Sequence, residues 1–117
     1  MSCSNQNSFN EKVVKLNTGQ TIKIDLQIKE NELGEKVLLA EYKNSEKIIK
    51  EKKIEDDVLE IWKNVERKAD DLELNEGIIK YSYLIGKTKD TKEPVYDIKL
   101  FSAEKIENGT WKIRKVN

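Results

Sequence analysis

Only one stretch of this chain repeats its apolar residues with a helical period. From Ile54 to Leu72, IEDDVLEIWKNVERKADDL, the residues Ile54, Val58, Ile61, Trp62, Val65, Ala69 and Leu72 follow at steps of four, three, one, three, four and three. That spacing lines a single stripe of an α-helix. Glu55, Asp56 and Asp57 fall in the predicted first turn, where carboxylates meet the positive end of the helix dipole. Asn75 or Gly77 would end the helix. Its other face is charged, so the stripe must be buried against another element, and the other periodic stretches all alternate as strands do.

Upstream, Val13, Val14 and Leu16 lead into Asn17-Thr18-Gly19-Gln20, a turn whose glycine can take positive φ. Thr21 to Lys29 then alternates: Ile22, Ile24, Leu26 and Ile28 point one way, and Lys23, Asp25, Gln27 and Lys29 the other. After Asn31-Glu32-Leu33-Gly34, Glu35 to Lys43 makes a third strand that is apolar on both sides near its middle. Lys43 to Lys53 reads as a solvated basic connector, either extended or beginning the helix. Beyond the helix, Ile78 to Ile85 alternates with Ile79, Tyr81, Tyr83 and Ile85 on one face. Gly86 to Glu93 is a polar loop closed by Pro94 at a strand start, where its missing N–H costs least. In Val95 to Ile106 the residues Tyr96, Ile98 and Leu100 share a face and Phe101 is out of step, which predicts a bulge or bend at Phe101 to Ala103. Asn108-Gly109 marks a last hairpin before the strand Thr110 to Val116.

Three strands, a helix and three strands, each trio read as a meander, predict an α+β fold: an antiparallel sheet of about six strands packed on one main helix. Residues 11–117 form one domain, long enough for one core and not for two. Met1 to Asn10, uncharged and rich in Ser and Asn, reads as a disordered tail or tether.

Composition narrows the chemistry. Charged residues make up 38% of the chain and mean hydropathy is −0.74, so almost all apolar material must enter the single core. The 22 basic and 22 acidic residues cancel, which removes the electrostatic footprint of a nucleic-acid binder. The chain has no histidine, the commonest general base and transition-metal ligand, and its single cysteine, Cys3, allows neither an internal disulfide nor a cysteine zinc site. No cofactor and no metal are expected, and an enzyme is not.

A cysteine followed by small polar residues, Cys3-Ser4-Asn5-Gln6-Asn7-Ser8, resembles the start of a mature bacterial lipoprotein. That resemblance implies a lipid on Cys3, a polar tether and a hydrophobic leader with a lipobox upstream. The ending VYDIKLFSAEKIENGTWKI resembles the closing hairpin of small cystatin-like or NTF2-like domains, which implies a curved sheet around a helix and carries no activity with it.

The remaining constellations weigh toward structure. Gly86-Lys87-Thr88 matches the end of a phosphate loop but lacks the upstream glycine and the following helix. Asp56-Asp57 with Glu60, and Asp70-Asp71 with Glu73, read as solvated helix faces, and Trp62 as a core anchor. Tyr81, Tyr83 and Tyr96 must place their hydroxyls somewhere; they either pack in the core or rim a ligand pocket between sheet and helix. The expectation is a non-enzymatic cell-envelope domain anchored through Cys3 that binds a protein partner or small ligand, touches a membrane only through that lipid, and binds no nucleic acid. The alternative is a soluble cytoplasmic inhibitor or immunity-type protein that blocks a partner enzyme.

Overall fold

In a computed structural model, which describes residues 10–47 and 50–116, the alternating stretches form β1 (Asn10–Lys15), β2 (Thr21–Glu30), β3 (Lys36–Lys47), β4 (Glu76–Lys87), β5 (Pro94–Lys105) and β6 (Trp111–Lys115), with α1 (Glu51–Asp71) between β3 and β4. The fold is α+β, in the order βββ-α-βββ. Cys3 and the rest of residues 1–9 lie outside the described residues, as do Ile48 and Ile49 of the basic connector.

Three hairpins share one turn design. Leu16, Asn31 and Ile106 each donate their N–H to the carbonyl four residues on, at 2.8 Å, and each accepts from the glycine three residues on, at 2.9, 3.0 and 2.9 Å. Gly19, Gly34 and Gly109 take φ of +92°, +79° and +84°, a conformation in which a side chain is strained. Asn108 does not share this left-handed backbone, so the Asn-Gly pair is the end of a longer turn rather than a two-residue one.

The sheet has six strands in sequence order, but it is mixed. Neighbours are antiparallel except β3 and β4, which run parallel with Leu38 beside Gly77 and Tyr42 beside Tyr81. This corrects the purely antiparallel expectation, and the reason is length. β3 rises ~40 Å and α1 returns ~31 Å in the opposite direction. The chain therefore re-enters the sheet near the end where β3 began, and β4 must run the same way.

Two further expectations change. β5 carries no bulge at Phe101 to Ala103; its ladder to β4 is continuous from Glu104 to Tyr96, and the register shifts lie at Asn44/Lys47 and Leu84/Gly86. Phe101 and Ala103 face the core, while Tyr96, Ile98 and Leu100 lie on the outer face, away from α1. β5 is apolar on both faces, so counting apolar residues picked the longer, outer row. The helix also starts earlier and ends sooner than its stripe. Glu51 is the acid of the first turn, which puts Asp56 and Asp57 in the second. Glu73, at φ 59°, closes the helix: its N–H reaches the Asp70 carbonyl at 3.0 Å, and the Leu74 N–H reaches that of Ala69 at 2.9 Å. This is the terminating turn usually built on glycine, here with glutamate in the left-handed position.

The stripe of α1 packs on the inner face of the sheet, with Val14, Ile24, Leu38, Ala40, Ile61, Val65, Ile79 and Ala103 fully buried. Trp62, 1% exposed, is the anchor. Its indole lies on the backbone of Gly77, where a Cβ would overlap ring carbons Cη2 and Cζ3, and its ring meets Trp111 edge-on at 5.0 Å. Glycine is thus required at position 77 by close approach of a side chain, not by a turn.

Gly77→Ala is expected to destabilise the protein by roughly 1–3 kcal/mol in urea unfolding, as overpacking does, and Trp62→Phe in the same chain should recover part of that loss. Equal losses with and without Trp62→Phe would show that the indole does not set the requirement. Glu73→Gly should stabilise by about 1 kcal/mol through relief of the left-handed backbone; an unchanged midpoint would contradict the strain.

Candidate functional site

A buried polar cluster lies where the first turns of α1 pack on β3 and β4. Asp57 sits three residues after Ile54 and four before Ile61, so the helix period carries it into the apolar stripe, and it is only 4% exposed. β3 extends its inward parity from Leu38, Ala40 and Tyr42 to Asn44, and β4 presents Ile79, Tyr81 and Tyr83 on the same face. The parallel register then sets Tyr42 beside Tyr81 and Asn44 beside Tyr83.

Within this frame the Tyr81 hydroxyl donates to Asp57 Oδ2 at 2.6 Å and accepts from Asn44 Nδ2 at 3.0 Å. Asp57 Oδ1 pairs with Lys53 Nζ at 2.8 Å, one helical turn back. Asn44 Oδ1 in turn accepts the Glu46 N–H at 2.8 Å, and the Tyr42 ring stands edge-on to Tyr81 at 5.3 Å. Burial, together with the hydrogen bond to Asp57, pushes the Tyr81 hydroxyl far above its ordinary value, and burial with the nearby Asp57 and Glu46 charges raises Tyr42. Asp57, Tyr81 and Asn44 thus satisfy one another, and the cluster clamps the helix start to the middle of the sheet.

A second layer lies beside it. The Tyr83 hydroxyl donates to Asp97 Oδ2 at 2.9 Å, which raises the tyrosine, after burial, and lowers the carboxyl. Glu51 pairs with Lys115 of β6, whose hydrogen bond lowers the Glu51 carboxyl. At the far end of the helix Asp70 takes Lys105 Nζ at 2.7 Å and the Trp111 Nε1–H at 3.1 Å. The Lys105 bond is the main cause of its lowered carboxyl.

Of the tyrosines singled out from sequence, Tyr81 and Tyr83 share the inner face, whereas Tyr96 lies on the outer one, under the Lys43 ammonium at 4.4 Å from its ring centre. They do not rim a common pocket. The grooves beside α1 are lined by other residues: about 240 Å³ between Val58, Leu59, Phe101 and Ile113, about 330 Å³ between Asn17, Asp56 and Glu60, and about 500 Å³ between Lys12, Leu26 and Arg67. The acidic helix residues have structural partners as well: both carboxylate oxygens of Glu60 lie 2.9 Å from the Asn17 N–H in the first turn. Among the described residues no group of three or more His, Cys, Asp or Glu side chains is arranged to hold a metal, and no helix is long and apolar enough to cross a membrane. Asp57 and Asn44 are the site residues that the sequence reading missed. The signals were positional: Asp57 falls on the helical stripe, and Asn44 continues the inward parity of β3.

No protein-family model matches the chain, and no curated protein matches it.

Tyr81→Phe leaves Asn44 and Asp57 each short of a partner and is expected to cost about 1–3 kcal/mol of stability by urea unfolding; a neutral substitution would show the network to be dispensable. The pH limits follow from the signs. Tyr42, Tyr81 and Tyr83 are raised, so their contribution is complete below the ordinary value of 10.0 and is lost as pH climbs beyond it. Glu51, Asp70 and Asp97 are lowered, so theirs is present above the ordinary 4.5 and 3.8 and is lost as pH falls through the folded values. Urea midpoints measured across pH should fall on both sides. A midpoint that holds steady past pH 10.0 would contradict the buried-tyrosine account.

Proposed function

We propose that this chain is the folded part of a non-enzymatic cell-envelope lipoprotein, tethered through a lipid on Cys3 and binding a protein partner with the outer face of its sheet. The observation that carries the binding reading is that α1 covers the inner face alone. The outer face sets Leu84, Tyr96, Ile98 and Leu100 beside Lys43, Lys80 and Glu41. A surface that mixes apolar and charged side chains of both signs suits a protein surface of like composition better than a small ligand. Tyr81 and Tyr83 are engaged with the carboxylates of Asp57 and Asp97, the first pair inside the fold. The tether rests on Cys3-Ser4-Asn5-Gln6-Asn7-Ser8: fully extended, the seven steps from Cys3 to Asn10 reach about 25 Å, enough to hold the domain beside a bilayer.

Intact mass and membrane fractionation of the native product, expressed from its own start site, test the anchor. The expected result is a diacyl or triacyl adduct on Cys3 in the membrane fraction. An unmodified chain in the soluble fraction would overturn the anchor and turn the search to a partner enzyme that the protein inhibits. For the sheet, Ile98→Lys should weaken partner capture without moving the unfolding midpoint; undiminished capture would place the contact elsewhere.

A further inference from the structure

β5 has twelve residues and β6 has five, so the edge of the sheet passes from one strand to the other partway along β5. β6 pairs with Phe101 to Lys105, and the Val116 N–H adds one bond to the Leu100 carbonyl at 2.8 Å. In an antiparallel ladder, backbone groups of successive residues point to opposite neighbours. Since Leu100 turns toward β6, Ile98 and Tyr96 turn the same way, and beyond Leu100 no strand among the described residues meets them. An edge of this kind is a template for pairing with another chain.

Two features blunt it. Pro94, at the strand start, has no N–H to offer. Asp97 Oδ1 accepts the N–H of Ile98 at 2.9 Å, while its Oδ2 is held by the Tyr83 hydroxyl, also at 2.9 Å. The residue whose amide is masked in this way is also the exposed apolar one, Ile98, at 42%. The same carboxylate thus accepts one hydrogen bond from Tyr83 and a separate one at the edge.

We propose that Asp97 is an edge guard, masking the Ile98 amide and so keeping this part of β5 from pairing with the β1 edge of a second copy. Among the described residues β1 is the other edge strand of the sheet. Its Val13, 59% exposed, lies on the same outer face as Ile98, so the pairing would bring two apolar side chains together. Because unlike edges meet, unguarded copies add head to tail into open-ended chains rather than closing as a dimer.

Sedimentation velocity across a concentration series tests this on the full chain. Asp97→Ala removes the acceptor, Asp97→Asn keeps an oxygen at the same place, and Tyr83→Phe removes the hydroxyl but leaves the carboxylate on Ile98. Asp97→Ala should assemble into a ladder of oligomers at a concentration about tenfold or more below wild type, the scale of one lost charge-assisted hydrogen bond, while the other two follow wild type. If Asp97→Ala does not fold, Asp97→Val, with its higher strand propensity, replaces it. An Asp97→Ala or Asp97→Val protein that stays monomeric over the wild-type range overturns the proposal, as does equal association by Tyr83→Phe.

Discussion

The structure depends on one helix being held against the centre of a six-stranded sheet. A sheet of that width offers far more inner surface than one helix can touch along a line, so the helix must be fixed at more than one point. The first clamp is polar: the Asp57 carboxylate, buried in the stripe in the second turn, takes the Tyr81 hydroxyl at 2.6 Å. The second is aromatic: Trp62, at mid-helix, is seated on the bare backbone of Gly77 and against Trp111, whose indole N–H is tied back to the last turn of the helix through Asp70. The parallel pairing of β3 and β4 follows from the same helix, because its return path sets the direction of the strand after it.

Much of this was legible before the structure. The alternation of Thr21 to Lys29 and the stripe from Ile54 to Leu72 mark their elements because burial on one face imposes a period, and Gly19, Gly34 and Gly109 mark the turns because the backbone there demands glycine. What was not legible has physical reasons. Parallel and antiparallel strands share the same side-chain period, so β3 and β4 could not be told apart from a meander by alternation. Tyr96 stands on a strand apolar on both faces, where parity does not say which face is inner. Asp57 stands in the stripe, but its charge reads as solvent-facing; a buried carboxylate is stable there because Lys53 and Tyr81 meet it, and Tyr81 lies beyond what local pattern shows. Glu73 in the left-handed position had no sequence signal, since that conformation ordinarily calls for glycine.

The same bookkeeping of partners shapes the functional reading. Tyrosines and carboxylates are the residues from which a site would be assembled in a chain without histidine, and here Tyr81 closes on Asp57 and Tyr83 on Asp97. The proposed role as a tethered binding domain rests on the outer face of the sheet and on the residues around Cys3.

The most direct test of the account is a double-mutant cycle between Asp57 and Tyr81, measured by urea unfolding of wild type, Asp57→Ala, Tyr81→Phe and the pair. If this hydrogen bond clamps the helix to the sheet, the two losses will fall short of additive by at least about 1 kcal/mol. Strict additivity would mean that the two groups act independently, and that the helix is held by its apolar stripe alone.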